Sequence, residues 1–279
     1  MKKVNKIVIY GKGGIGKSMI ASNLSMIYAR QGLKVLQIGC DPKHDSTIRL
    51  LGERQKIRTV MDIVAKKSPV NLTRDDVASL IMKGKNNIDC IECGGPKPGV
   101  GCAGRGILLM SEILSDAGII NGGEYDVIVF DILGDVVCGG FAAPLKLNFA
   151  EKVFIAISEE LASLYAANNI SQAVLHYKNN GIYLGGLILN LRDNNADLKH
   201  VGRFAKRLNA DILAKIPRSK KIADAEHRNN TAVEAYPSSD VARIFSGLAK
   251  DILECKKTSS RKPRYIGEEA LGDILYGAR

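Results

Sequence analysis

"KIVIYGKGGIGKS", residues 6–18, joins a short apolar run to a glycine-rich loop. The apolar run, residues 6–10, predicts a buried strand, and the chain after the loop has helical character through about Ala29. Glycines in such a loop allow the backbone N–H groups to wrap an anion at the N-terminus of the following helix. The strand–loop–helix order therefore predicts a phosphate-binding loop within an α/β fold.

The loop itself, "GKGGIGKS" at 11–18, matches the pattern G-x-x-x-x-G-K-[ST] in the structural context that this pattern requires. Lys17 is expected to reach the β- and γ-phosphates of a nucleotide, and Ser18 is expected to ligate Mg²⁺. The alternative, a plain glycine turn, is disfavoured by the complete pattern. The residues predicted to bind nucleotide in this loop are Gly11, Gly13, Gly14, Ile15, Gly16, Lys17, Ser18 and Met19.

Strands and helices alternate along the rest of the chain. Further strands are predicted at 34–40, 87–93, 125–131, 152–158, 185–190 and 211–217, with helical segments between them, including one over 74–83. Such alternation predicts a mostly parallel sheet with helices on both faces. We therefore predict a single α/β P-loop NTPase domain over 1–255 and a basic, polar C-terminal extension over 256–279, lying on the surface or on a partner subunit.

Composition narrows the class of protein. The chain has 279 residues and a net charge of +11, which favours an anionic partner such as nucleotide phosphates or an acidic protein face. Nucleic acid is disfavoured because the chain has no tryptophan and only 5% aromatic residues, which leaves little material for base stacking. No apolar run reaches the length of about 18 residues that indicates a membrane span, and the N-terminus lacks a signal-peptide pattern. These features indicate a cytoplasmic protein.

Two acidic segments follow predicted strands and should lie at the carboxyl edge of the sheet, where ligands bind. "GCDPKHDST" (39–47) follows the second strand, and "FDILGD" (130–135) ends another. Asp131 occupies the position of a Mg²⁺-binding aspartate, although strand-end aspartates also serve as helix caps. Cys138 lies seven residues later, so loss of the γ-phosphate could move this thiol.

Six cysteines in a cytoplasmic chain argue against a disulfide framework and leave metal binding, catalysis or burial. One hypothesis collects Cys90, Cys93, Cys102 and Cys138 of a single chain around an iron–sulfur cluster or a zinc ion. The other takes only Cys102 and Cys138, contributed by each of two subunits, as four ligands of one cluster. Spacing alone does not choose between these hypotheses.

Several motifs together resemble the nitrogenase iron protein family, from the N-terminal strand to about residue 250. They are "GCDPKHDST", "GGPKPGVGCAGRG" (94–106), "DILGDVVCGGFAAPL" (131–145), "YAANNIS" (165–171) and "IPRS" (216–219). The resemblance implies that Cys102 and Cys138 bridge one [4Fe–4S] cluster per homodimer. It also implies that Cys40, Cys90, Cys93 and Cys255 are not ligands, although Cys93 stands where the family usually has serine. Arg105 matches an arginine that is a target of ADP-ribosylation in the family.

The resemblance also assigns nucleotide roles. The "KGGxGKS" loop is similar to that of dimeric septum-site and partition ATPases, and it implies that Lys12 reaches the nucleotide of the other subunit. Asp41 would orient or activate the attacking water, Lys43 would contact phosphate, and Asp45 would lie near Mg²⁺. Gly134 and Asp135 would report on the γ-phosphate. The positions that match the adenine pocket are Asn190, Pro217 and Arg218, and Ser219 replaces the acidic residue of the family.

The function implied is an ATP-dependent reductase. It would use MgATP to pass low-potential electrons, received from a ferredoxin or flavodoxin, to a separate catalytic component resembling the nitrogenase heterotetramer. Within the family, reduction of a tetrapyrrole (protochlorophyllide or a nickel-tetrapyrrole) or of a methylthio-alkane is an alternative. The competing class is a non-redox ATPase that acts as a partitioning switch or as a scaffold or carrier for Fe–S cluster assembly. Leu147 and Phe149 replace charges of the family's docking segment, so we expect them on a partner-facing surface.

Overall fold

A computed structural model describes residues 4–52, 57–95, 103–132, 134, 142–146, 149, 151–257 and 262–277. The strands are β1 (Asn5–Tyr10), β2 (Val35–Cys40), β3 (Met82–Lys83), β4 (Asp89–Glu92), β5 (Val127–Ile132), β6 (Lys152–Ile157), β7 (Tyr183–Asn190) and β8 (Ile212–Ile216).

The α-helices of the same residues vary from one turn to more than four. They are α1 (Lys17–Arg30), α2 (Ile48–Leu51), α3 (Val60–Val64), α4 (Arg74–Ala78), α5 (Ala103–Asp116), α6 (Ala143–Lys146), α7 (Leu161–His176), α8 (Lys199–Leu208), α9 (Lys220–His227), α10 (Ala232–Ala235), α11 (Asp240–Glu254) and α12 (Glu268–Tyr276). In the part of the chain that is described, no helix combines the length and the apolar character needed to cross a membrane.

The eight strands form one sheet in the order β3-β4-β2-β5-β1-β6-β7-β8. Every neighbouring pair is parallel except β3 with β4. The predicted α/β fold is therefore confirmed. Because the seven parallel strands point the same way, the loops that follow β1, β2, β4, β5 and β7 meet along one edge of the sheet.

Alternate residues of each strand enter cores on opposite faces of the sheet, as the pleat requires. Val8 and Tyr10 of β1 join the core under α5, α7 and α8, whereas Ile7 and Ile9 join the core under α1 and α11. The strands of the centre are buried on both faces; all six residues of β2, of β5 and of β6 are buried. This double covering explains why these strands are continuous apolar runs in the sequence.

The helix expected over 74–83 is wrong in its second half. A capping box between Thr73 and Asp76 starts α4, which ends at Ala78. Met82 and Lys83 then form β3, antiparallel to β4. The reason is that apolar and polar residues alternate here. Met82 is buried and Lys83 is exposed, as in a strand at the edge of a sheet.

The C-terminal segment 262–277 packs on its own chain. The Asn168 side chain of α7 donates from Nδ2 to Ile266 O at 2.8 Å, and its Oδ1 accepts from Ile266 N at 3.1 Å. Ile266 and Leu271 are both buried in the core beneath α7 and α8. Part of the predicted extension is therefore anchored to the sheet domain through the "YAANNIS" motif.

Phe149 was expected on a partner-facing surface, and this expectation is wrong. Its side chain is 1% exposed and lies in the core, with its ring centroid 6.4 Å from that of Phe130. An aromatic ring gains more from burial than the charged residue it replaces, so this side chain turns inward. The neighbouring Leu147 lies outside the residues that the structure describes.

Candidate functional site

A cavity of about 880 Å³ opens at the carboxyl edge of the sheet, between the loops that follow β1, β2, β5, β7 and β8. Most of the residues predicted to bind nucleotide line it together: Gly13, Gly14, Gly16, Lys17, Ser18, Met19, Asp41, Lys43, Asp45, Asp131, Asn190, Pro217 and Arg218. Gly11, Lys12 and Ile15 belong to the same loop but are not part of the cavity wall. Residues from five separate segments thus converge on one space large enough for a nucleotide.

The loop between β1 and α1 is held in a wrapped conformation. Lys17 Nζ donates to Gly11 O at 2.8 Å and to Lys12 O at 3.1 Å, so its ammonium group sits inside the turn of the loop. Asn190 Nδ2 donates to Ile15 O at 2.7 Å. Gly16 has φ +99°, and a Cβ there would stand 2.6 Å from Asn190 Nδ2, so only glycine allows this approach.

Asp131 lies at the end of β5, beneath this loop. It is 3% exposed and is hydrogen-bonded to the side chains of Ser18 and Ser46. Burial raises the pKa of Asp131, and these hydrogen bonds together with Lys17 partly oppose the shift. A carboxylate that is costly to ionise here would be stabilised by a cation, and a carboxylate with a serine hydroxyl supplies the oxygen ligands that Mg²⁺ prefers. These residues therefore fit a magnesium nucleotide.

The wall of the cavity after β8 includes Pro217 and Arg218, which are predicted to surround the base. The Asn194 side chain fixes the backbone of Arg218, since Arg218 N donates to Asn194 Oδ1 at 2.8 Å and Asn194 Nδ2 donates to Arg218 O at 3.0 Å. Ser219, which replaces the family's acidic residue, caps α9 by accepting from Lys221 N at 3.2 Å. The Asn194 side chain and the cap at Ser219 therefore fix the backbone in this part of the cavity wall.

Sequence reasoning missed two residues of the site. Arg192 lines the cavity, and its guanidinium donates to Gly14 O. Glu159 holds the loop that carries Arg192: its carboxylate accepts from Arg192 N at 3.0 Å and from Asp193 N at 2.7 Å. The place of Arg192, two residues after Asn190 at the end of a predicted strand, was a usable signal. Glu159 lies 33 residues before Arg192 in the chain, and no signal in the sequence pointed to it.

The loop after β5 approaches the nucleotide loop. Gly134 has φ +30°, and a Cβ built on it would stand 3.9 Å from Gly13 N. The next predicted site residues, Asp135 and Cys138, fall beyond the described part of this loop, as Cys102 does before α5. Arg105 is exposed in the first turn of α5, and Lys12 is half-buried.

The C-x-x-C pair points in two directions. Cys90 and Cys93 are both 0% exposed, but Cys90 packs in the core under α1 and Cys93 in the core under α5. Burial raises the pKa of the Cys90 thiol and raises that of Cys93 to about 12. Two protonated thiols on opposite faces of a sheet do not converge on one metal ion. Among the residues described, no group of three or more His, Cys, Asp or Glu side chains is arranged to hold a metal.

Known proteins resemble this chain over nearly all its length. Residues 5–278 match the family of 4Fe-4S iron sulfur cluster binding proteins, NifH/frxC family. A nitrogenase iron protein of Methanospirillum hungatei is 43% identical, covering 95% of this chain and 93% of its own. A nitrogenase iron protein of Methanococcus voltae is 42% identical, covering 97% and 95%.

Solved structures with the same fold are more distant in sequence. The septum site-determining protein MinD complexed with Mg-ADP from Pyrococcus horikoshii has a TM-score of 0.70 at 20% identity, covering 90% of this chain and 96% of its own. The cell division ATPase MinD of Pyrococcus furiosus has a TM-score of 0.69 at 21% identity, covering 91% and 100%. At this identity the likeness shows the P-loop ATPase fold alone.

These matches confirm the resemblance predicted from the motifs and, with it, the class of ATP-dependent, [4Fe–4S]-containing oxidoreductase with a nitrogenase-reductase-like function. They also agree with a sheet edge that presents a phosphate loop, a buried strand-end aspartate and a nucleotide-sized cavity. By sequence over almost its whole length, the chain belongs to the NifH/frxC family of 4Fe-4S iron sulfur cluster binding proteins.

Proposed function

We propose that this protein is the ATP-hydrolysing electron-transfer component of a two-component reductase. Two copies of the chain form a homodimer that binds two MgATP and one [4Fe–4S] cluster, with Cys102 and Cys138 of each copy as the four ligands. The dimer docks on a separate catalytic component, which resembles the nitrogenase heterotetramer, and transfers electrons to it. A low-potential ferredoxin or flavodoxin supplies those electrons.

The observation that carries this proposal is the short spacing between Asp131, in the nucleotide cavity, and Cys138. Asp131 lines the cavity, and Gly134 lies close to the backbone of Gly13. Cys138 follows Asp131 by only seven residues. One short stretch of chain therefore joins the predicted Mg²⁺ ligand to a predicted cluster ligand, so a change at the γ-phosphate has a direct path to the thiolate.

The residues that line the cavity are assigned roles in nucleotide binding and hydrolysis, and a few residues outside its lining join them. Lys17 balances phosphate charge, while Ser18 and Asp131 hold Mg²⁺. Asp41 orients the attacking water, and Lys43 contacts phosphate; both line the cavity. Asp45 lies near the metal; Gly134 and Asp135 respond to the γ-phosphate; Asn190, Pro217 and Arg218 surround the base. Lys12, which is not in the wall of its own cavity, reaches the nucleotide of the other subunit.

The cluster, when bound, accepts and releases one electron at a time. The chain supplies thiolates for it, and Cys102 directly precedes α5 in the sequence. The N-terminus of a helix favours nearby negative charge, which suits a cluster ligated by thiolates. Arg105, exposed in the first turn of α5, lies where modification would obstruct docking of a partner.

The competing function, a non-redox carrier for Fe–S cluster assembly, depends on the C-x-x-C at 90–93. The burial of Cys90 and Cys93 in cores on opposite faces speaks against it, because a transferable cluster needs accessible, converging thiolates. A single-chain site of four cysteines meets the same obstacle. The separate pair Cys102 and Cys138 is left as the ligand set.

The test is to purify the protein anaerobically, count iron per dimer, and follow iron loss to a chelator with MgATP, MgADP or no nucleotide. We expect four iron atoms per dimer, as a single [4Fe–4S] cluster requires. Chelation should be fast with MgATP only, because ATP and ADP differ in affinity for the two states of the dimer. Equal rates in all three conditions would replace the reductase with a static cluster protein.

The ligand set has its own test. Cys102→Ala and Cys138→Ala should each abolish iron binding while nucleotide binding survives, because the phosphate loop is separate in the sequence. Cys93→Ser is the matched control and should keep the iron, since serine is the residue usual in the family at this position. Loss of iron from Cys93→Ser would overturn the assignment of two cysteines per subunit.

A further inference from the structure

Glu92, the last residue of β4, is a fully buried carboxyl outside the nucleotide cavity. It stands opposite Gly39 of β2 in the register of the sheet. Its Oε1 accepts from Thr47 N at 2.7 Å and from Thr47 Oγ1 at 2.7 Å. One side chain of β4 thus holds the far end of the segment 39–47 by two short hydrogen bonds.

The other oxygen of this carboxyl, Oε2, has no hydrogen-bond partner among the described residues. It lies directly over Gly39, where a Cβ would stand 2.1 Å from it. Burial raises the pKa of Glu92 to about 8, and the nearby carboxylates of Asp131 and Asp45 add to the shift, while the bonds from Thr47 oppose it. The raised pKa favours the neutral carboxylic acid, and the geometry ties this group to Thr47 through hydrogen bonding and shape.

Glu92 is the first of a series of contacts between two segments. Cys93 N donates to Gly39 O at 2.8 Å. Gly95 packs so closely on Pro42 that a Cβ on it would stand 2.5 Å from Pro42 Cβ. The segments 92–95 and 39–47 are therefore in close contact at both ends and in the middle, and movement of one displaces the other.

The segment 39–47 is also a wall of the nucleotide cavity, to which it contributes Asp41, Lys43 and Asp45. Ser46 of this segment is hydrogen-bonded to Asp131, the predicted Mg²⁺ ligand. The segment 92–95, which contacts the segment 39–47, is followed by Cys102 after a further seven residues of the chain. The contact of Glu92 with Thr47 therefore lies between the nucleotide and one of the two proposed cluster ligands.

We propose that Glu92 is a positioning residue that transmits the state of the nucleotide from the segment 39–47 to the chain that carries Cys102. This route runs through β4, whereas the other runs through Asp131 to Cys138; Ser46 links the two, and each proposed cluster ligand has a connection to the nucleotide. The inference rests on the proposed function, because it concerns the coupling between MgATP and the cluster.

The experiment compares wild type with Glu92→Ala and Glu92→Gln, as anaerobic holoprotein. The ratio of iron chelation rates with MgATP and MgADP measures coupling, and the affinity for MgATP is measured separately. We expect Glu92→Ala to lower the ratio by about fivefold or more, the lower range of allosteric coupling, with MgATP affinity changed less than about threefold. Glu92→Gln should retain the ratio, because the amide oxygen still accepts from Thr47.

A second readout does not depend on the cluster. Amide hydrogen exchange of the peptide that covers 92–110 should differ between MgATP and MgADP in wild type and in Glu92→Gln, but not in Glu92→Ala. Should Glu92→Ala fail to fold, Thr47→Val removes one of the two donors from the other side and is expected to lower the ratio in the same direction.

The outcomes separate the two claims. If chelation from wild type ignores the nucleotide, the proposed function fails, and hydrogen exchange then decides on Glu92 alone. A Glu92→Ala variant with the wild-type ratio and wild-type exchange overturns the positioning role. So does a variant in which MgATP affinity and thermal stability fall together while the ratio is kept, since that is what a purely structural role predicts.

Discussion

β4 and β5 lie on either side of β2, and both end in a buried carboxyl at the same edge of the sheet. Asp131, at the end of β5, lines the nucleotide cavity and is hydrogen-bonded to the nucleotide loop through Ser18. Glu92, at the end of β4, is not in the cavity and is hydrogen-bonded to Thr47. Each is followed by a proposed cluster ligand: Cys138 lies seven residues after Asp131, and Cys102 lies ten residues after Glu92.

The difference between the two carboxyls lies in what each is placed to meet. Asp131 has a serine hydroxyl and Lys17 beside it and is suited to ionise when a cation arrives. Among the described residues, Glu92 is hydrogen-bonded to Thr47 and to no cation, and burial favours its protonated form, so it is suited to tie one segment to another. Position at the sheet edge alone therefore does not fit a carboxyl to bind a cation; the partners on the neighbouring loops decide this.

The largest expected effect is the difference in ATP hydrolysis between two variants in which a carboxyl is replaced by its amide. Asp131→Asn removes the proposed ligand of Mg²⁺ and should lower ATP hydrolysis by about 10²–10³-fold, the range seen when one electrostatic group of a transition state is lost. Glu92→Gln, which replaces a neutral group with a neutral group, should change hydrolysis less than about threefold. Phosphate release assays with the dimer and saturating MgATP measure both. Similar losses in both variants would erase the distinction between the two carboxyls.

The second effect concerns pH. Glu92 has a pKa of about 8 in the folded chain, against an ordinary value of 4.5. At a pH between these two values, the folded state therefore holds a proton that the unfolded state has lost. The free energy of unfolding should therefore fall as pH rises from about 5 to about 8, by up to about 1.4 kcal/mol per pH unit. Denaturant unfolding without nucleotide measures this.

Glu92→Gln sharpens that measurement. The amide does not titrate, so the dependence of stability on pH should become shallower. Asp131→Asn should act in the same direction, since burial also raises the pKa of Asp131. If stability depended on pH as steeply in Glu92→Gln as in wild type, Glu92 would be ionised in the folded protein and would not differ from Asp131 in this respect.

A smaller effect distinguishes the loops after the two strands. Gly95→Ala would place a methyl group 2.5 Å from Pro42 Cβ and should destabilise the protein by about 1–3 kcal/mol through overpacking. Among the described residues, Gly134→Ala meets no atom closer than 3.9 Å and should cost only about 1 kcal/mol, the penalty of its positive φ. Thermal or denaturant unfolding measures the stability of the two variants side by side. A larger loss of stability in Gly134→Ala than in Gly95→Ala would contradict this expectation.

The smallest effect should come from Thr47. Thr47→Val removes the hydroxyl that donates to Glu92 but keeps the backbone donor, so a loss of about 1 kcal/mol in stability is expected. Thr47→Ser keeps both donors and serves as the matched control, with a smaller change. Equal stability of the valine variant and wild type would show that the backbone bond alone holds the carboxyl.

Much of the nucleotide site could be predicted from the sequence, because its signals are local. The glycine loop is contiguous with the strand and helix that position it, and Asp131 follows an unmistakable buried run. The strands β2, β5 and β6 were likewise visible as continuous apolar runs. Such patterns depend on the period of a single element, and they hold wherever that element sits in the fold.

The tertiary structure alone decided which distant residues meet. Glu92 and Thr47 are 45 residues apart, and they touch only because β4 pairs with β2. The pleat of β4, continued to Cys93, sends Cys90 and Cys93 into opposite cores, and the same kind of packing choice buries Phe149 against Phe130. Strand order and the direction of each side chain relative to the sheet are set by burial summed over the whole domain, and no local motif encodes that sum.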